Sequence, residues 1–416
     1  MESSLWRHPG FLKLLVGASV SRLGSQVTLL ALPLVAIVTL GATPFQVGLL
    51  GAAGTLPPLL FGLPAGVWVD RRPARRLMVA CDLGRGALLL SVPVGAGLGY
   101  LSVGQLCAVA FLSASLQLVD GLAASAFGPR LVTPERLVEA NARLELSRTG
   151  AQVAGPGFAG ALVQLLTAPF AIAVDALSFF FSAFMLGLIR LEERLPPPPD
   201  GRRFWPELSA GLRLVLGDRL LRPLVGATAL LFFANGVFEA VQLLYLSRWL
   251  GLPPGVVGVV FGVGNVGFVL GALTVRRLSG RLGIGTTLVV AALALGLTDL
   301  TTPALGWLPD PAAAQPVTAG ALMAAGLLFG FSVIAFQVSS SSLRQSAAPD
   351  EMRARVAGTT QFLTGGLEPV AAIVGGLLGQ TIGLQATLLL AAFGELAAAL
   401  LLLRSPLRRV KDLPTA

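Results

Sequence analysis

The sequence is poor in charge. Only 12% of its 416 residues are Asp, Glu, Lys or Arg, roughly half the share of about 25% carried by an ordinary soluble domain. The missing charge is missing in blocks: none occurs in 23–69, 86–119, 149–174, 249–275 or 311–343. Histidine occurs once, at His8, and cysteine twice, at Cys81 and Cys107, each inside an apolar stretch. This inventory offers no His/Cys/carboxylate cluster for a metal centre, no nucleophilic triad and no disulfide framework. Neither a cofactor nor a metal is expected, and an enzyme with a clustered polar site is not the reading. The opening MESSLWRHPGF does not read as a cleavable signal, because the apolar segment after it is too long for an h-region and no small-residue cleavage site follows.

What is present is apolar surface: 54% hydrophobic residues and a mean hydropathy of +0.79. A soluble fold of this length could not hide that much apolar surface behind so few charges. A helix crosses about 30 Å of hydrocarbon with about 20 residues. Each charge-free block therefore holds one span, and 23–69 holds two. Reading apolar runs between turn signals predicts twelve spans: 11–38, 45–69, 77–98, 104–128, 144–166, 169–190, 221–247, 254–275, 284–305, 316–343, 358–380 and 384–404. The one long polar interruption, 191–219, contains four consecutive prolines, Pro196–Pro199, a stiff spacer. It divides the chain into a six-helix bundle over 1–190, a cytoplasmic central loop over 191–220, and a six-helix bundle with a cytoplasmic tail over 221–416.

Basic residues set the orientation. Alternate loops carry RRPARR (71–76), Arg130 and Arg136, the central loop, Arg276, Arg277 and Arg281, then Arg344, Arg353 and Arg355, and the tail RSPLRRVK (404–411). The intervening loops are free of Lys and Arg apart from Arg248. Under the positive-inside rule both termini are cytoplasmic, in a bacterial inner membrane. The net charge of +9 then reflects topology, and no nucleic-acid partner is expected. A monomer in the lipid bilayer is.

The halves resemble each other at an offset near 210 residues. LVGA at 15–18 recurs at 224–227, and P-x-x-V-G occurs at Pro44/Val47/Gly48 and again at Pro254/Val257/Gly258. Two six-helix halves of the same orientation imply a pseudo-two-fold axis along the membrane normal, with a substrate site between them near the midplane.

Several motifs then resemble one family. The loop after span two, Gly66-Val-Trp-Val-Asp70-Arg71-Arg72-Pro-Ala-Arg75-Arg76, is similar to the signature G-x-x-x-D-R-x-G-R-R/K of the major facilitator superfamily, with Pro73 or Ala74 where that motif has Gly. LSGRLGIG (278–285) is a degenerate copy in the second half. Span five contains Ala151-Gln-Val-Ala-Gly155-Pro156-Gly-Phe-Ala159-Gly160, similar to the G-x-x-x-G-P-x-x-G-G signature of the antiporters. FLKLLVGASVSRLGSQV, the Asp82-Leu-Gly-Arg85 start of span three, EANARLELSR and PFAIAVDALSFFFSA resemble the drug–proton antiporter branch that includes macrolide-efflux and enterobactin-export proteins. The resemblance implies an all-α membrane protein with the twelve-helix major facilitator fold. It implies an inner gate at Asp70, Arg71 and Arg75, and an export-type kink at Gly155, Pro156 and Gly160. It also implies that spans one, four, seven and ten line a cavity.

Carboxylates inside spans are the sharpest physical signal, because charge near the midplane costs several kcal/mol or forces protonation. Glu368 in span eleven, Glu239 in span seven and Asp120 in span four are the candidates for proton coupling. Asp175, Asp299 and Glu395 fall on spans six, nine and twelve, which the resemblance places outside, so a structural or interfacial role is expected of them. Arg22 reads as the only basic residue well inside a span, either binding an anionic substrate or pairing with Asp82 or another carboxylate. Gln26 and Asn235 correspond under the repeat, and with Phe232, Phe238 and Phe336 they are candidates to line the cavity; aromatic residues at helical spacing also fit plain packing. Gly262-Val-Gly264-Asn-Val-Gly267 matches a dinucleotide fingerprint but follows no strand, and close helix packing explains it better. The resulting expectation is a proton-coupled exporter of lipophilic small molecules, drug- or macrolide-like. A siderophore or metabolite exporter and a lysophospholipid transporter are the alternatives of the same fold, and a non-transporting scaffold or receptor is the alternative of another class.

Overall fold

The computed structural model describes residues 5, 8–191, 212–310, 314–347 and 352–410. Most of the central segment, including Pro196–Pro199, and the end of the tail lie outside the described residues. Among those described there is no strand, and twelve long helices hold most of the residues. They are α1 (Pro9–Leu34), α2 (Pro44–Asp70), α3 (Ala74–Leu98), α4 (Val103–Leu131), α5 (Leu137–Leu166), α6 (Ala168–Gly187), α7 (Leu221–Leu244), α8 (Pro254–Leu282), α9 (Ile284–Asp299), α10 (Gln315–Ala347), α11 (Arg353–Thr381) and α12 (Leu384–Arg404). Each predicted span overlaps one of them, and the spans 11–38, 169–190, 221–247 and 284–305 run past the end of theirs. Eleven, with α9 counted together with the short helical turns that carry it on to Trp307, are long and apolar enough to cross a membrane. The twelfth, α5, carries Glu139, Arg143, Glu145 and Arg148 in its first half, with ion pairs Arg143–Glu139 and Arg148–Glu145 one turn apart. Only its second half is free of charge.

Helix starts follow capping chemistry. The Phe11 amide donates to His8 Nδ1 at 3.1 Å, so the single histidine caps α1. The Gln105 amide donates to Ser102 Oγ at 3.2 Å to open α4. The Leu220 and Leu221 amides both donate to Asp218 Oδ1 at 2.8 Å at the start of α7. Each satisfies an N–H that the helix itself leaves without a partner.

The internal repeat is visible in the backbone. Helix α1 ends in a π-turn, Val35–Thr39, and α7 ends in a π-turn, Tyr245–Trp249, 210 positions later. Both are followed by a glycine at φ +65°, Gly41 and Gly251, and both close the same way: Ala42 N donates to Ala36 O at 2.8 Å, and Leu252 N to Leu246 O at 3.0 Å. Pro44 and Pro254 then start the next helix. A wide turn at a helix end is a local event, and its recurrence at the same repeat position shows that the two halves share a backbone plan.

The chain forms two compact units. The first comprises Met1–Ala42, Ala53–Asp200 and Pro253–Gly262; the second comprises Thr43–Ala52, Gly201–Leu252 and Val263–Ala416. The first turns of α2 and α8 are thus packed away from the rest of their own half. The reason is glycine. A Cβ on Gly48 would come within 2.4 Å of Ala372 O and 2.8 Å of Gly376 Cα, and one on Gly258 within 2.3 Å of Pro156 O and 2.9 Å of Gly160 Cα. The P-x-x-V-G repeat therefore supplies, at equivalent positions, the residue that lets two helix backbones touch.

Candidate functional site

In the first unit the polar residues gather around Arg85, about 16 Å into α3 at 1.5 Å per residue. Its guanidinium stacks 4.0 Å from the Phe179 ring centroid, donates to Gln117 Oε1 at 3.2 Å, and lies within electrostatic reach of Asp82, Asp120 and Asp175. Asp82 is 4% exposed and Asp175 1%. Thr28 Oγ1 and Ser178 Oγ donate to the Asp175 carboxylate, and Asp82 sits beside Ser182. Small residues make this density possible: a Cβ on Gly24 would meet Ser178 Oγ and Asp175 Oδ1, and one on Gly86 the Phe180 ring. Asp120, half-buried on α4, faces Arg85 and Arg22.

Arg22 is therefore not the only cation inside a span. Arg85 is another, and its position in Asp82-Leu-Gly-Arg85 shows this only once α3 is seen to begin at Ala74. Arg22 Nη1 donates to Leu144 O at 2.6 Å, with Glu145, Arg148 and Asp120 nearby; Asp82 is not among its partners. Gln26, half-buried, lies against Gly155, where an added Cβ would come within 2.3 Å of Gln26 Cγ. Pro156 and Gly160 are buried, and the glycines at 155 and 160 present α5 backbone to α1 and to the start of α8.

At the signature loop, Asp70 and Arg71 are exposed, and the Arg72 guanidinium lies 4.4 Å from the Trp68 ring centroid. Arg75 does something the motif does not announce. It donates to Gly187 O and Ile189 O at the end of α6, where Lys13 Nζ also donates to Leu188 O at 3.1 Å. Two cations on the carbonyl end of a helix satisfy its orphan acceptors and oppose its dipole.

In the second unit, α7 packs closely on α11 and on α12. A Cβ on Gly236 would come within 2.8 Å of Ala371 Cβ, and one on Gly375 within 2.6 Å of Val237 O. This approach brings Glu239 of α7 and Glu368 of α11 within electrostatic reach of each other, both with exposed surface. Two of the three candidate coupling carboxylates are thus neighbours, while Asp120 belongs to the other unit. Asn235, half-buried one turn before Glu239, lies beside Glu395. Phe238 and Phe336 are 2% and 1% exposed, in the packed interior, and Phe232 packs against the core that holds Phe336.

The outer-span carboxylates, of which a structural or interfacial role is expected, are buried. Asp175, Asp299 and Glu395 are 1%, 7% and 0% exposed. Helical periodicity could have found them, because each shares a face with small residues. Among the described residues no group of three or more His, Cys, Asp or Glu could hold a metal ion.

A model of the Major Facilitator Superfamily matches residues 14–371 of this chain. The chain is 26% identical over 432 aligned positions to the multidrug efflux pump Tap of Mycobacterium tuberculosis, covering 98% of this chain and 96% of that protein. It is 29% identical over 434 positions to the enterobactin exporter EntS of Salmonella choleraesuis, covering 99% and 96%. Among solved structures, a bacterial homologue of the iron transporter ferroportin in an inward-facing state is similar with a TM-score of 0.77, at 20% identity, over 97% of this chain and 99% of that one. That likeness is one of fold.

Proposed function

Because the chain belongs to the Major Facilitator Superfamily and is a multi-pass membrane transporter, we propose that it exports lipophilic small molecules in exchange for protons. Both termini and the basic loops face the cytoplasm of a bacterial cell in this reading, which rests on the asymmetry of Lys and Arg. The observation that carries it is the Glu239–Glu368 pair. Two neighbouring carboxyls in an apolar bundle cannot both hold charge cheaply, so their ionisation responds to whatever enters beside them. A proton bound at Glu368 and a cationic or polarised substrate compete for the same negative charge, and that competition is the coupling. Export direction is supported by the Gly155-Pro156 kink and by the names of the relatives.

In Asp70, Arg71 and Arg75 the gate loop places charges of both signs at the membrane edge, where pairing with a facing helix end favours one state of the alternating cycle. The 29% identity to an enterobactin exporter favours a siderophore as the second substrate class.

The test is transport in proteoliposomes under an imposed pH gradient, with lipophilic cations, macrolides, a catecholate siderophore and a labelled lysolipid. Gradient-driven movement of a drug, abolished in Glu368→Gln, is the expected result. Movement of the siderophore alone transfers the substrate assignment, and movement of the lysolipid alone, or transport indifferent to the gradient, overturns the proposal.

A further inference from the structure

The mechanism above does not use Asp299 and Glu395. They sit where α12 packs closely against both α9 and α7. A Cβ on Gly296 would come within 2.7 Å of Leu396 Cγ and 3.0 Å of the Leu396 amide nitrogen, and one on Gly394 within 3.1 Å of Ala234 Cβ. Glycine on α9 and glycine on α12 thus draw three helices together at the depth of Glu395. Glu395 is 0% exposed and Asp299 7%. No described N–H or O–H group makes a well-formed hydrogen bond to either oxygen of Glu395 or to Oδ2 of Asp299, although the Asn235 amide lies within reach of Glu395.

What faces the pair is limited. The two carboxyls lie within hydrogen-bonding reach of each other. From α7 come the Asn235 amide and the Glu239 carboxyl. The neighbouring Thr298 hydroxyl donates to its own helix at Leu295 O, 2.8 Å away. The Tyr245 hydroxyl, further along α7, donates to Pro303 O. Helix α10 contributes no charged residue until Arg344 in its last turn. No cation therefore faces the pair among the described residues.

Two carboxylates within hydrogen-bonding reach, buried and without a cation, cannot both be ionised, since each charge would keep its full desolvation cost and add repulsion. A proton placed between them removes one charge and supplies the missing donor in one step. We propose that Asp299 and Glu395 share a single proton and exchange it with Glu239, making the pair the interior proton reservoir of the transport cycle. The transfer breaks one O–H bond at the donor carboxyl and forms another at the acceptor; nothing else is oxidised, reduced or displaced. The inference rests on the proton-coupled reading, and it extends the proton path from Glu368 and Glu239 into a part of the unit that no substrate needs to reach.

The test is infrared difference spectroscopy of the full-length protein in lipid nanodiscs, titrated with pH, alongside gradient-driven transport. A protonated-carboxyl stretching band present at neutral pH in the wild type is expected to vanish in Asp299→Asn and equally in Glu395→Gln. The double variant should lose no more than either single one, because one proton is shared. Uphill transport should fall in both variants while Glu395→Asp restores part of it. If one variant does not fold, the other carries the measurement. A band unchanged in the variants, or two bands lost independently, overturns the inference even when the wild type is driven by the gradient. If instead the band behaves as expected but wild-type transport ignores the gradient, the pair holds its proton and the exporter reading is the one that fails.

Discussion

Gly160 of α5 and Gly258 of α8 meet backbone to backbone: a Cβ on Gly160 would lie 2.6 Å from Pro254 O and 3.0 Å from Gly258 Cα. No side chain fits there, because the obstructing atoms are main chain and cannot swing aside. Gly160→Val should cost about 1–3 kcal/mol, the usual range for overpacking, read as a lowered melting temperature in detergent. The equivalent change at Gly376, whose Cβ would meet Pro44 O at 2.8 Å and Gly48 Cα at 2.9 Å, should behave alike. A loss at one position with none at the other would show that the repeat has different packing in its two copies.

The kink segment offers a paired control. An added methyl at Gly155 would meet Gln26 Cγ at 2.3 Å, whereas Gly157 has nothing within 4 Å. Gly155→Ala should displace the Gln26 side chain and lower transport; Gly157→Ala should leave both stability and transport near the wild type. Measuring the two variants in one proteoliposome preparation separates contact with α1 from a general effect of losing glycine in the helix.

Arg75 belongs to the signature loop yet spends its guanidinium on α6. Removing it leaves Gly187 O and Ile189 O at the helix end short of a donor, so Arg75→Ala should cost about 1–3 kcal/mol. Arg71 is exposed, so Arg71→Ala should leave the melting temperature unchanged while altering the transport rate if the gate reading holds. Equal melting temperatures for the Arg75 variant and the wild type would remove the capping role.

The spans were legible because charge is excluded from hydrocarbon and the exclusion is visible as blocks in one dimension. The repeat was legible because P-x-x-V-G is a local requirement of close backbone approach. The side-chain clusters were not. Asp299 and Glu395 are 96 positions apart, and only the packing of α9 on α12 shows that they share a pocket. Arg85 was hidden differently: the sequence places it near the start of span three, and its depth depends on the extra turn that begins α3 at Ala74. Arg75 was read as part of a gate because a motif names residue types, whereas the carbonyls it holds come from another helix.

Arg85 supports the last prediction. In the first unit it is the cation shared by Asp82, Asp120 and Asp175, and Arg85→Ala would leave those carboxyls buried without it. Stranding buried charge in this way typically costs about 3–5 kcal/mol. Some of that cost is avoided when the carboxyls take up protons, which acid makes easier. The stability gap between variant and wild type should therefore be large at alkaline pH and shrink as the pH falls, the direction in which the folded variant binds more protons than the wild type does. Thermal melts of both proteins across a pH series measure it. A gap that stays constant with pH would mean that Arg85 acts through its stacking on Phe179 and its hydrogen bond to Gln117, not through charge.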